Sequence, residues 1–193
     1  MPVRDVMLHT TGIRVTELAL LEVADVLYPS GAIRAEVYLR AEITKGCRAR
    51  NIHLTHAKCI AAIQAWVAVR LERGWGISSS AEYHGLRPDS RWVMTHKGQA
   101  FELAFKHRML DSGPEVCRAC DALQQTMSRL YRQAGIKDGS SHSGRRTLAA
   151  QVLAATGDGD TVQAILRHQY LDHSKPYMSI DQDTIRRAYE LAL

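Results

Sequence analysis

The chain has 193 residues, 46% hydrophobic but only 6% aromatic, so it has enough apolar material for one domain whose core is mostly aliphatic and alanine. Its 25 Lys and Arg against 20 Asp and Glu give a net charge of +5, which permits a polyanionic partner without demanding one. No apolar run is long enough for a signal peptide or a membrane span, which excludes the membrane classes and leaves a cytoplasmic protein as the expectation.

In chain order, residues 3 to 10 read as a short helix through Val3, Val6 and Met7 that stops at Thr10-Thr11-Gly12. A second helix begins at Arg14 and turns Val15, Leu18 and Leu21 inward. That leaves Arg14 and Glu17 as neighbours on another face, the arrangement of an ordinary surface ion pair. From Ile33 to Ile43 every second residue is apolar, the period of one long or two successive half-buried strands. Thr44-Lys45-Gly46-Cys47 makes a turn and Ala49 to Leu54 returns as the partner strand, so Lys45 projects from a hairpin tip.

Thr55 caps the next helix, which carries Ile60, Ile63, Trp66, Val67 and Leu71 before Gly74 ends it. Residues 74 to 90, rich in Gly and Ser and containing Pro88, form a loop. Trp92 to Thr95 reads as a short strand before a His96-Lys97-Gly98 turn. A helix is predicted from Phe101 to Met109, interrupted by Asp111 to Pro114, and another near Cys117 to Ala134 with Leu123, Met127, Leu130 and Tyr131 on one stripe. Cys117 and Cys120 have the C-x-x-C spacing of zinc and redox sites, but a zinc ribbon needs a second such pair. With Cys47 and Cys59 elsewhere, four reduced structural thiols and no metal are expected.

The stretch from Ser141 to Tyr177 carries the most legible chemistry. Ser140 or Ser141 serves as N-cap, Leu148, Ala149, Val152 and Leu153 recur at helical spacing, and Gly157 closes the helix. His142 and Arg145, three apart, then share one face of its first turn beside the partial positive charge of the helix start, an anion site in outline. A second short helix begins near Asp160, buries Val162, Ile165 and Leu166, and brings His168 to its end. A loop broken by Pro176 presents Tyr177, and Asp183 to Leu193 forms a last helix with Ile185, Ala188, Tyr189 and Ala192 on one face. The fold class is therefore mainly α with a small antiparallel β-sheet (α+β).

H-x-x-R at His142 and Arg145, a histidine at His168 and a tyrosine nine residues later at Tyr177 together resemble the tyrosine recombinases of the phage-integrase family. Two further pieces of that family's pattern occur upstream in order. Thr11, Gly12, Arg14 and Glu17 match a TG-x-R-x-x-E segment, and Lys45, Gly46 and Arg50 match a K-G-x-x-x-R hairpin turn. The resemblance covers nearly the whole chain and implies the recombinase catalytic-domain fold over residues 1–193. Arg167 stands where the family more often has glycine, and Gly144 where leucine is common, the latter at a cost of up to about 1 kcal/mol in helix propensity. Only thirteen residues precede Arg14, so the usual N-terminal core-binding domain is expected to be absent, as in a catalytic-domain fragment or a short stand-alone form.

A phosphodiester transition state gathers charge on its non-bridging oxygens, which calls for fixed cationic donors, and an arginine fork pairs two oxygens at once. Arg14 and Arg145 suit that clamp, His168 is a further donor, and Glu17 stands behind Arg14. A tyrosine hydroxyl needs positive potential and a base to react at neutral pH, and His142 is the candidate base. Lys45 can protonate the leaving 5′ oxygen. By resemblance, Tyr177 attacks DNA to give a 3′-phosphotyrosyl intermediate with neither metal nor cofactor. The implied partners are double-stranded DNA, a homo-oligomer (tetramer) on that DNA, and an accessory DNA-bending protein. The setting implied is a mobile element in a bacterial or phage-encoded, nucleoid-associated context, with residues 183–193 as an exchange helix between subunits. Type IB topoisomerase-like relaxation and a non-catalytic DNA-binding regulator are the alternatives.

Overall fold

In a computed structural model that describes residues 2–44, 48–110 and 113–166, helix α1 (Val3–Thr11) ends where Gly12 takes a left-handed conformation at φ 63°. Glycine meets that requirement without a Cβ penalty. Short helices α2 (Val15–Leu20) and α3 (Val23–Val26) follow, then strand β1 (Glu36–Leu39) and strand β2 (Arg50–His53). β1 and β2 pair antiparallel with Glu36 opposite His53 and Leu39 opposite Arg50. The alternation from Ile33 to Ile43 thus yields a four-residue strand, and Ala41–Ile43 is a turn of 3-10 helix instead of a continuation. The predicted hairpin tip at Lys45 lies outside the described residues.

Helix α4 (Ala57–Glu72) begins one residue later than expected, and its cap is His56, not Thr55: His56 Nδ1 accepts the Lys58 N–H at 3.1 Å. Its inward positions are Cys59, Ile63, Val67 and Arg70, whereas Leu71 is exposed. Arg70 is tolerated inside because its guanidinium donates to the Trp75 and Arg91 carbonyls and to Ser90 Oγ. Burial without a carboxylate lowers its pKa to about 10.

Trp92 is fully buried but lies in no strand; its backbone N–H donates to Leu21 at 2.7 Å and its indole N–H points at Met7 Sδ, 3.2 Å away. The expected Phe101–Met109 helix is instead strand β3 (Ala104–Leu110), paired antiparallel with strand β4 (Gly113–Ala119) in a second two-stranded sheet. Of Asp111 to Pro114, expected to break a helix, Gly113 and Pro114 open β4 and pair with Leu110 and Met109, while the first two residues lie outside the described ones. As a result helix α5 (Asp121–Gln133) starts later than Cys117, which sits in β4. Leu123, Met127 and Tyr131 of α5 are buried as its stripe predicts.

Helices α6 (Ser143–Thr156) and α7 (Gly159–Leu166) complete the described chain. The chain divides into two compact units, Met1–Gly144 and Arg145–Leu193. The first holds the large core, centred on Met7, Leu8, Ile13, Leu18, Leu21, Leu39 and Trp92; the second holds a small one of Ala149, Val162 and Leu166. Ile165, expected inward, is 39% exposed. Cys59, Cys117 and Cys120 are free thiols, and no helix among the described residues is long and apolar enough to cross a membrane.

Candidate functional site

Arg14 precedes α2 as its N-cap residue, with extended backbone (φ −79°, ψ 150°). Glu17, one turn on, reaches back so that its Oε2 accepts the Arg14 backbone N–H at 2.8 Å. Arginine has no acceptor to return the bond, so its side chain joins the site as a cation. Arg14 Nη1 donates to Glu17 Oε1 at 3.1 Å.

The pair is not the surface contact that its spacing suggests. Glu17 is 1% exposed, and β2 delivers a second arginine to it: Arg50 donates from Nη1 to Oε1 at 2.6 Å and from Nη2 to Oε2 at 2.5 Å. Desolvation by burial pushes the Glu17 carboxyl up, but the Arg50 hydrogen bonds and charge, together with Arg14, outweigh it and hold the carboxyl below its ordinary value. Glu17 is therefore an ionised carboxylate inside the protein, bracketed by two cations. Arg50 was legible only as part of the hairpin motif. The signal for its role is its phase: Arg50, Ile52 and Leu54 alternate on the buried side of the strand, a position where an unpaired arginine would be untenable.

At the other end of the sequence, α6 starts at Ser143, so His142 stands just before the helix and not within its first turn. Its backbone N–H donates to Ser140 Oγ at 3.3 Å, while Ser143 Oγ accepts the Ser140 N–H at 2.8 Å. Two serines thus shape the entry to α6 and leave the His142 side chain exposed. Gly144 follows, and here the sequence has a steric reason. A Cβ at Gly144 would lie 2.7 Å from the Leu8 carbonyl carbon and oxygen at the end of α1.

Arg145 opens the second unit and is 1% exposed. Its Nη2 donates to the Leu166 carbonyl at 2.7 Å, tying the guanidinium to the last residue of α7. Leu166 is two residues before His168 in the sequence. The structure brings Arg14, Glu17 and Arg50 together in the first unit and places His142 and Arg145 at the start of α6. Lys45, His168 and Tyr177 lie outside the described residues, as does the expected helix at 183–193.

A model of the phage integrase family matches residues 6–183. No curated protein matches the chain in sequence. Among solved structures, the XerA recombinase is similar with a TM-score of 0.64 at 20% identity, over 96% of this chain and 55% of that one. The XerH site-specific recombinase bound to its palindromic difH substrate gives 0.64 at 17% identity, over 97% and 44%. The Tn1549 transposon integrase in complex with a circular intermediate DNA gives 0.57 at 17% identity, over 97% and 57%. At these identities the likeness shows the fold, which is that of the recombinase catalytic region, and the chain spans about half the length of the structures it matches.

Proposed function

The chain belongs to the phage integrase family, and from that premise we propose that it is the catalytic part of a site-specific DNA recombinase, cutting and rejoining double-stranded DNA through a 3′-phosphotyrosyl intermediate. The observation that carries this reading is the Arg14 site. A partly exposed guanidinium is held by a buried carboxylate, and that carboxylate is neutralised from behind by a second arginine. Such an arrangement fixes a cation without quenching it, as a phosphodiester requires.

In the proposed reaction Arg14 and Arg145 hold the non-bridging oxygens, with His168 as a further donor. The Tyr177 oxygen forms a bond to phosphorus as its phenolic proton passes to His142. The bond from phosphorus to the 5′ oxygen breaks, and Lys45 gives that oxygen a proton. A 5′-hydroxyl of another strand then attacks the phosphotyrosine, releasing Tyr177 and restoring the phosphodiester. The two bonds are alike in kind, so the exchange needs no external energy source. We further propose that residues 1–193 comprise the catalytic domain and that the protein acts as a homotetramer on paired sites of a mobile element. Residues 183–193 would pass between subunits, and an accessory protein would bend the DNA.

The test is covalent capture on a nicked suicide duplex, where loss of the short 5′ product strands the protein on DNA. The expected result is an adduct with the wild-type chain and none with Tyr177→Phe, while non-covalent DNA binding by that variant is unchanged, because only the nucleophilic oxygen is lost. An adduct persisting in Tyr177→Phe overturns the assignment of the nucleophile. Recombination between two sites, as opposed to relaxation of one circle, separates strand exchange from topoisomerase chemistry.

A further inference from the structure

The buried Arg50–Glu17 pair is not accounted for by stability alone, since apolar replacements of such pairs are often neutral or stabilising. Its geometry points elsewhere. Each oxygen of Glu17 accepts one bond from each arginine: Oε1 from Arg50 Nη1 (2.6 Å) and Arg14 Nη1 (3.1 Å), Oε2 from Arg50 Nη2 (2.5 Å) and the Arg14 backbone N–H (2.8 Å). Exposure is unequal. The Arg50 and Glu17 side chains are 3% and 1% exposed, and that of Arg14 is 23% exposed.

Two cations and one anion leave a charge of +1, and it resides at the exposed end. Were Arg50 neutral, Arg14 and Glu17 would cancel, and the oxygens Arg50 now occupies would draw the Arg14 fork inward to satisfy a buried carboxylate. An arginine so engaged is a poor phosphate ligand.

We infer that Arg50 is a positioning residue for anion binding at Arg14: by neutralising Glu17 and occupying both of its oxygens, it keeps Arg14 a net cation turned toward solvent, ready for a phosphodiester oxygen. The inference rests on the DNA-cleaving reading above only for the identity of that anion. Arg50 itself touches no reacting atom. It lies five residues after Lys45 in the sequence and is the first residue of β2.

Charge balance separates this role from a merely structural one. Arg50→Met leaves Arg14 and Glu17 to cancel and should lower the rate of covalent capture by on the order of 10²-fold, the loss typical of one transition-state donor. Adding Glu17→Gln to Arg50→Met removes the carboxylate as well, restores the +1, and should recover at least about tenfold of that loss. A structural role predicts the reverse, with the double variant no better than the single. Where Arg50→Met folds poorly, the double variant, which buries no charge in place of the pair, still decides. It should capture DNA within about tenfold of wild type, and adding Arg14→Ala should then abolish capture.

A second readout does not depend on the reaction. The side-chain ¹⁵N resonance of Arg14 should shift on titration with inorganic phosphate in the wild type and the double variant, and not in Arg50→Met. If those shifts appear while even the wild type captures no DNA, the recombinase reading fails and the role of Arg50 stands. If Arg50→Met matches the wild type in both capture and phosphate response, or the double variant matches Arg50→Met, the inference is overturned.

Discussion

At the scale of single residues, Glu17 shows how sequence spacing and structure part company. Arg14 and Glu17 at i and i+3 have the spacing of a solvated pair. What pairs with the buried Glu17 is Arg50, 33 residues on, a contact no local window reveals. The consequence is a pH dependence. Because the folded state holds the Glu17 carboxyl below its ordinary value of 4.5, its contribution is complete above that value and is lost as pH falls through the folded value. Glu17→Gln removes the contribution at every pH and leaves Arg50 as a buried cation, costing roughly 3 kcal/mol near neutrality. In urea unfolding, the gap between wild type and variant should be constant above about pH 5 and close progressively below it. A gap that stays constant down to pH 3 would mean that Glu17 is not held ionised by the two arginines. Gly144 gives the opposite lesson. Helix propensity alone makes Gly144→Ala stabilising by up to about 1 kcal/mol, but the 2.7 Å approach to the Leu8 carbonyl makes it a clash worth roughly 1–3 kcal/mol. The sign of the change in thermal midpoint decides, and a lower midpoint is expected.

At the scale of elements, the helices with a clean apolar stripe were legible, and the second hairpin was not. Phe101, Leu103, Ala104, Phe105 and Met109 recur closely enough to imitate a helix. The competing signal was the alternation of Phe105, His107 and Met109 followed by the Asp-Ser-Gly-Pro break. Tertiary burial could not arbitrate, because this ribbon buries little: Phe105 is 68% exposed and Val116 is 57% exposed. An element so weakly committed to the core should be removable. Ala104 lies opposite Ala119, and paired Cα atoms in such a ladder are about 5 Å apart, a gap that an Asn-Gly turn spans. Replacing residues 105–118 by Asn-Gly should therefore preserve cooperative unfolding. It sacrifices the Lys106–Asp121 bridge, both of whose side chains are over 40% exposed, at a cost below about 1 kcal/mol and a midpoint shift of at most about 4 °C. Loss of a cooperative transition would show that the ribbon supports the core after all.

At the scale of the whole molecule, fold class and family were legible because six chemically constrained positions recur in order along the chain, even though overall identity to the solved recombinases is 15–20%. Three of those positions, Lys45, His168 and Tyr177, fall outside the described residues, so the sequence pattern alone speaks for them. The described first unit adds what the pattern could not show, the pairing of Arg50 with the Glu17 carboxylate behind Arg14.

The whole-chain charge yields the last prediction. Several acidic residues are already matched within the fold: Glu17 by Arg50 and Arg14, Glu22 by Arg91 and Arg40, Asp25 by Arg40, Asp121 by Lys106. These five cations and four carboxylates net +1, which resides at Arg14, and matched pairs contribute little field beyond a Debye length of about 8 Å at physiological salt, so the net +5 is carried by Arg14 and the excess of remaining cations. If about four of them meet DNA phosphates, each releases condensed counterions, and the slope of log affinity against log salt should lie near −3.6. Between 50 and 200 mM salt that amounts to a loss of about a hundredfold. The measurement is fluorescence anisotropy with a duplex of unrelated sequence, using Tyr177→Phe so that covalent capture cannot distort the equilibrium. Arg50→Met should bind more weakly and with a slope shallower by about one, because it cancels the cation at Arg14 without touching DNA itself. A slope near zero in the Tyr177→Phe protein would show that the basic excess is not a DNA-binding surface, and an unchanged slope in Arg50→Met would place Arg14 away from the phosphate backbone.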